Sequence, residues 1–303
     1  MSNSLSRDPK GVSALLPYAL LLAPPLCWAG NAVLARGVVD VMPPISLAFW
    51  RWFMAFVILF PFTLGHVKQD WETARHSWKW LLLLSFLGVS CFNSLLYTAA
   101  HTTTAINVSL MQTAMPAMII LISWVVFREK ISTVQMVGVM VSMAGAGLIV
   151  VHGKWQISLA MNLVEGDVLM LIAVFVYALY SALLRKRPPI HPLSFLTLTF
   201  GFGMLMLLPF YLWELMVAGP FSVSPAAIMS ILYVALFPSI IAYFCWNRGI
   251  ELIGANRAGL FSYLIPFFAS VMAIFFLGET LRGYHVMGMV LILGGMVIFN
   301  RRG

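Results

Sequence analysis

The chain has 303 residues, of which 61% are hydrophobic and 9% charged, with a formal net charge of +8. A soluble domain would carry about 25% charged residues, so the composition excludes a water-soluble enzyme or binding module. A basic excess in so apolar a chain points to a membrane surface rather than to nucleic acid. Apolar runs follow one another from Ala14 to Phe299. A run of about 20 residues crosses the hydrocarbon core as a helix. These runs are continuously apolar rather than alternating, so helices are expected and not the strands of a barrel.

In chain order, Arg7 and Lys10 precede an apolar run interrupted by Pro24, Pro25, Trp28 and Asn31. No small-residue cleavage pattern follows, so this run is expected to be the first spanning helix and not a removable signal. Ten spans are expected, at about 14–35, 45–65, 79–99, 105–127, 133–151, 166–184, 193–213, 226–246, 257–277 and 284–300. With the N-terminus on the cytoplasmic side, 14 of the 18 Lys and Arg residues fall on that side. Arg36, Lys154 and Arg282 fall on the other, and Arg51 lies within the second span. The positive-inside rule then places both termini in the cytoplasm of a multi-pass protein of the bacterial inner membrane.

Polar side chains inside these spans are the candidate functional residues, because lipid gives a buried polar group no partner. Helix 1 offers Trp28 and Asn31, and helix 6 offers Tyr177, Tyr180 and Ser181. These sit too deep for a belt of interfacial aromatics and are expected to line a cavity. In helix 3, Asn93, Tyr97 and His101 are spaced i, i+4, i+8 and form one stripe. In helix 8, Ser239, Tyr243 and Asn247 repeat that spacing, with Trp246 beside them. The alternative is that these groups only cross-link helices. Helix 4 carries Gln112 and Thr113 just before Pro116, and helix 9 carries Ser262 and Tyr263 just before Pro266. A proline frees the carbonyl four residues earlier. That is the carbonyl of Gln112 or Ser262, available to a substrate donor or simply marking a hinge. Arg51, flanked by Trp50 and Trp52, is expected to snorkel to the interface or to meet a partner in the other half. Gly138 with Gly145, and Gly288 with Gly295, lie seven apart on single faces and suit close helix packing, within the chain or in a weak homodimer.

The chain repeats itself. Residues Pro116–Ile131, PAMIILISWVVFREKI, return 150 positions later as Pro266–Leu281, PFFASVMAIFFLGETL. Ala105 pairs with Ala255, Gly138 with Gly288 and Gly145 with Gly295; nearer the start the offset is 149, so Trp28 faces Tyr177. Two five-helix units, 1–152 and 153–303, follow. Five is odd, so the second unit enters the membrane from the opposite side, which is the inverted repeat of transporters. CWAGNAVLARG (27–37), AFWRWFMA (48–55) and the two proline–glutamate–glycine blocks resemble the drug/metabolite transporter superfamily, specifically its EamA-type exporters. Among these the chain is most similar to the aromatic-amino-acid exporters. The resemblance implies an all-α polytopic fold of ten helices in two inverted repeats. Helices 1, 3, 4, 6, 8 and 9 would line a central cavity, and helices 5 and 10 would pack outside it.

Export of small amphipathic metabolites by alternating access is therefore expected, with amino acids, including aromatic ones, as cargo. The ten acidic residues all sit in loops or at helix ends, which favours facilitated diffusion over a carboxylate-coupled pump. His101 is then the candidate titrating group of the pathway. Proton-coupled drug or metabolite efflux and a membrane-embedded enzyme are the alternatives. A phosphate-substrate antiporter would need several cations lining the cavity. No metal or cofactor motif is present: His66 and His76 have no carboxylate at ligand spacing, and Cys27, Cys91 and Cys245 are scattered through apolar runs. The expected partners are a small-molecule substrate and the lipid bilayer, with no nucleic acid; a monomer or weak homodimer is expected.

Overall fold

The computed structural model describes residues 16–129, 132–152 and 164–300. These residues form helices joined by short connections, with no strand among them. In chain order the rods are α1 (Leu16–Gly37), α2 (Pro44–His76), α3 (Trp78–Thr102), α4 (Ala105–Phe127), α5 (Thr133–Val150), α6 (Glu165–Lys186), α7 (Pro192–Ala218), α8 (Pro225–Ile253), α9 (Ala255–Leu277) and α10 (Gly283–Asn300). Eight of them are long and apolar enough to cross a membrane; α5 and α10 are apolar but shorter. Arg7, Lys10, Lys130, Lys154, Arg301 and Arg302, which entered the charge count, lie outside the described residues.

Helix α2 runs on to His76, past the expected end near residue 65. The segment HVKQDWETARH contains no Gly or Pro to stop it and is rich in good helix formers. Short connections make successive helices antiparallel. One end of the bundle therefore carries the start of α1 and the finish of α10 (the terminus side), and the other carries the 38–43 and 278–282 connections (the far side).

The repeat is visible in the irregularities. Helix α3 widens to a π-turn at Phe86–Cys91, and α8 does the same at Leu236–Ile241, 150 positions on. Helix α4 tightens to 3₁₀ at Gln112–Ala114, and α9 at Leu260–Tyr263. Gly88 and Pro238 hold equivalent places in the two π-turns, and both weaken a regular helix, one by backbone freedom and one by a missing N–H.

The glycines of α5 and α10 face each other within the chain. A Cβ on Gly138 would lie 2.5 Å from the Gly295 carbonyl, and one on Gly145 would lie 2.7 Å from that of Gly288. Ser142 Oγ donates to the Ile292 carbonyl at 3.1 Å between them. These small residues make the close α5–α10 contact, which is the expected helix packing, here within the chain.

Candidate functional site

The centre of the bundle is a polar knot built around Arg51, which is 1% exposed. The guanidinium does not snorkel; of the two expected fates it takes the other and meets partners in the second half, Ser239 and Pro238. Its Nε donates to Ser239 Oγ at 2.5 Å, Nη1 to Asn93 Oδ1 at 2.7 Å and Tyr97 Oη at 2.8 Å, and Nη2 to the Pro238 carbonyl at 2.9 Å. Asn31 Oδ1 lies 3.3 Å from Nη1. Cζ sits 4.6 Å from the centre of the Trp52 ring, whose negative face favours a cation. Seven residues separate Arg51 from Pro44 at the far end of α2, and an interface some 10 Å away by helical rise is within a snorkelling arginine's reach. The neutral acceptors of α1, α3 and α8 outweigh that route because together they satisfy most of the fork inside the protein.

The π-turns supply part of this knot. Pro238 has no N–H, so the Val234 carbonyl loses its helical donor, and Ser239 Oγ donates to it instead at 2.6 Å. The Pro238 carbonyl receives Arg51 and also Trp28 Nε1 at 3.2 Å. Its mate, the Gly88 carbonyl, receives the Tyr243 hydroxyl and Asn93 Nδ2 at 3.4 Å. Two equivalent carbonyls, released by equivalent distortions, thus each accept side-chain donors at the centre.

The same symmetry relates two tyrosine–asparagine pairs. Tyr97 Oη donates to Asn31 Oδ1 at 2.8 Å between α3 and α1, on the far half of the centre. Tyr180 Oη donates to Asn247 Oδ1 at 2.9 Å between α6 and α8, on the terminus half. Between the pairs lies an aromatic cluster: Trp28 meets Trp246 at 5.0 Å and Tyr177 at 5.6 Å edge-on, Tyr177 meets Tyr180 at 5.2 Å, and Trp52 meets Tyr243 at 5.3 Å. Trp246 Nε1 donates to Ser181 Oγ at 3.4 Å.

Of the residues singled out in the sequence, Trp28, Asn31, Asn93, Tyr97, Tyr177, Tyr180, Ser181, Ser239, Tyr243, Trp246 and Asn247 come together here. Five others do not. His101 lines a far-side cleft with Asp40 and the 218–224 connection. Gln112 Nε2 donates to the Val108 carbonyl at 3.3 Å, Thr113 Oγ1 to that of Leu110 at 2.5 Å and Ser262 Oγ to that of Gly259 at 2.6 Å. Each closes on its own helix. Tyr263 packs beside Ala117, Ile120 and Val139. The Gln112 carbonyl is not free for a substrate either, because the 3₁₀ turn gives it the Met115 N–H. Pro116 lies under Gly259, where α4 and α9 cross at their distortions.

The two ends of the bundle differ. On the far side the Glu279 carboxylate accepts the Ala105 and Ile106 N–H groups at 2.8 and 2.9 Å, closing the start of α4. Asp167, fully buried, accepts from Thr103 Oγ1, from Asn107 Nδ2 at 3.1 Å and from His152 Nε2 at 2.6 Å. His285 Nε2 donates to Asn107 Oδ1 at 2.9 Å, with His285 Nδ1 accepting the Arg282 N–H at 3.0 Å. Glu214 accepts the Ile45 and Ser46 N–H groups at 3.0 and 2.6 Å. On the terminus side a cleft of about 510 Å³ reaches inward between α6 and α8 to Ser181 and Asn247. The ion pairs at this end, Arg185–Glu129 at 2.5 Å and Arg248–Glu251 at 2.6 Å, are more than a third exposed. Surface pairs of this kind contribute little, up to about 1 kcal/mol.

The profile of the EamA-like transporter family matches residues 15–151 and matches again at 164–301. The chain belongs to this family. Its helices are those of a membrane transporter, with a lipid environment and a small-molecule substrate, and the family's two repeats coincide with the paired distortions described above. The chain is similar to an uncharacterized transporter of Archaeoglobus fulgidus, at 26% identity over 93% of this chain and 96% of the other. It is equally similar to the uncharacterized transporter YyaM of Bacillus subtilis, at 26% identity over 92% of each. A probable amino-acid metabolite efflux pump of Salmonella typhimurium is 26% identical over 57% of this chain and 60% of its own length. A solved crystal structure shares the fold, with a TM-score of 0.65 at 17% identity over 95% of this chain and 97% of the other.

Among the described residues no group of three His, Cys, Asp or Glu side chains is placed to hold a metal ion. Sequence reasoning missed the central role of Arg51, the two π-turns, and the Asp167–His152–His285 cluster. Gly88 and Pro238 at equivalent repeat positions were the signal for the π-turns. Nothing in the local sequence announced the cluster, because its three members and the Asn107 that joins them come from four separate segments.

Proposed function

We propose that this transporter carries small amphipathic metabolites, amino acids and aromatic ones among them, outward across a bacterial plasma membrane by facilitative alternating access. The two units, 1–152 and 153–303, would rock about the Arg51 knot and the aromatic cluster, with α5 and α10 completing ten spans. Pro116 and Pro266 are the flexing points, and both termini face the cytoplasm. One observation carries the reading: the cleft of the terminus side reaches the polar, aromatic centre at Ser181 and Asn247, whereas the far-side clefts, lined by His101 and by Asn107, include none of the central residues. Such a cleft, on the cytoplasmic face, suits a carrier ready to load for export. Aromatic rings would hold the apolar part of the cargo, and Asn93, Tyr97, Tyr243 and Asn247 its polar groups once the halves part. The partial likeness to an amino-acid metabolite efflux pump supports the cargo class.

The test is counterflow of radiolabelled phenylalanine in liposomes containing the purified protein, against a phosphate ester, with and without a proton gradient. Saturable phenylalanine exchange indifferent to the gradient is the expected result. Tyr97→Phe, which removes only the hydroxyl, is expected to lower the rate at least several-fold. A phosphate ester carried in preference to phenylalanine overturns the cargo class. Proton-coupled efflux is the second reading, favoured by the buried Asp167 with His152 beside it at the far side. Exchange that requires the gradient, lost in Asp167→Asn, would establish it.

A further inference from the structure

The terminus-side cleft is lined by Ser181, Arg185, Arg187, Asn247, Glu251 and the Pro188–Pro189 turn, among others. Two buried side-chain atoms on its wall have no hydrogen-bond partner among the described residues, Arg187 Nη1 and Asn247 Nδ2, and both are N–H donors. Asn247 is only 3% exposed. The Tyr180 hydroxyl donates to its Oδ1, so the unpartnered end of the amide is the NH₂. Arg187 is held by Glu251, which accepts from Nη2 at 3.0 Å, and by the Phe195 ring 5.8 Å from Cζ. That leaves Nη1 of this lining residue buried and unmatched.

The acceptors of this wall are already taken. Glu251 holds Arg187 with one oxygen and Arg248 with the other. Ser181 Oγ receives Trp246 Nε1, and Arg185 is paired with Glu129 outside the cleft. The charged side chains that line the cleft, Arg185 and Arg187 against Glu251, sum to one net positive. Buried donors without acceptors are costly, and a ligand that supplies the acceptor removes that cost. A single net charge matches a monoanion, whereas a phosphate dianion would leave one negative charge unpaired. The apolar part of the lining is Leu184, Pro188, Pro189 and Ile250.

We propose that this cleft is a carboxylate-binding site, in which Arg187 Nη1 and Asn247 Nδ2 receive the carboxylate of a substrate whose apolar body rests against Leu184, Pro188, Pro189 and Ile250. The site deepens the transport reading and rests on it for its biological use. A charge-assisted bond to a buried guanidinium is among the strong ones, and its loss is read as about a tenfold or larger fall in affinity.

The experiment measures equilibrium binding to the purified chain in lipid nanodiscs by calorimetry, using phenylalanine, 3-phenylpropionate, phenylalaninamide and a phenyl phosphate ester. The two carboxylates are expected to bind at least about tenfold more tightly than the amide. Arg187→Gln is expected to erase that difference while leaving the amide's own affinity as it was, which also reports that the variant is folded. Arg248→Gln removes an equal charge that does not line the cleft, and is expected to change carboxylate affinity by less than about threefold, the scale of an exposed charge. Equal binding of amide and carboxylate by the unaltered chain overturns the proposal whatever the variants do. So does a carboxylate preference that survives in Arg187→Gln, or one lost equally in Arg248→Gln. Tighter binding of the phosphate ester overturns it in favour of another anion. Counterflow of a neutral or cationic solute in liposomes would meanwhile leave the transporter reading standing, so the two can fail separately.

Discussion

The far half and the terminus half of the centre are built from the same parts and differ by one cation. Each has a tyrosine donating to an asparagine oxygen, Tyr97 to Asn31 and Tyr180 to Asn247, and each has a π-turn carbonyl accepting side-chain donors. Only the far half has Arg51; α2 and α7 match at an offset of 148, Pro44 with Pro192 and Pro61 with Pro209, which puts Thr199 in its place in the second repeat. Two equal halves would give two states of equal energy, one open to each side. The guanidinium ties α1, α3 and α8 together, a tie that the terminus half lacks among the described residues. The ends extend the difference: Glu279 caps the start of α4 directly, whereas its mate Glu129 engages Arg185 and Asn256 and leaves the start of α9 uncapped by its side chain.

Removing the cation is the strongest way to break this comparison. Arg51→Met leaves Asn93 Oδ1 without a donor, at about 1–3 kcal/mol, and removes charge-assisted bonds of similar size to Tyr97, Ser239 and the Pro238 carbonyl, which keep other partners. A loss of at least about 3 kcal/mol is expected, seen as a marked fall in melting temperature in nanodiscs and a collapse of exchange activity. A variant as stable as the parent would remove Arg51 from its place as the tie.

The two glutamates give a matched pair of smaller effects. Glu279→Gln weakens a charge-assisted cap worth about 1 kcal/mol. Hydrogen exchange at the Ala105 and Ile106 amides is expected to quicken about fivefold. Glu129→Gln breaks only an exposed ion pair and is expected to change exchange at the start of α9 by less than about threefold. Equal responses at the two ends would erase the asymmetry.

The smallest effect lies at another pair of mates. Gly278 ends α9 with φ 67°, and Arg128 ends α4 in the same left-handed region at φ 54°. A side chain there is strained by about 1 kcal/mol. Arg128→Gly relieves that strain but frees the unfolded chain, so a change within about 1 kcal/mol is expected in thermal unfolding. A larger loss would show that the Arg128 side chain supports the terminus side.

Much of this was legible in the chain itself. Continuous apolar runs dictate helices, because lipid leaves no other way to satisfy the backbone, and their number and order follow from where charged and turn-forming residues interrupt them. The 150-residue echo of Pro116–Ile131 in Pro266–Leu281 sets two related units of opposite direction. The i, i+4 stripes of Asn93 with Tyr97 and of Tyr243 with Asn247 point inward for the same reason, and these residues do meet at the centre. Helical spacing, however, says which residues share a face and not how far a side chain reaches. Arg51 reads locally as a cation able to snorkel, and only the convergence of Asn31, Asn93, Tyr97, Ser239 and the Pro238 carbonyl decides that it turns inward. Gln112, Thr113 and Ser262 read as pathway groups, yet the 3₁₀ tightening lets each close on its own helix. The Asp167 cluster and the unmatched donors of Arg187 and Asn247 arise from segments distant in sequence, where packing alone sets which polar groups find partners and which are left for a ligand.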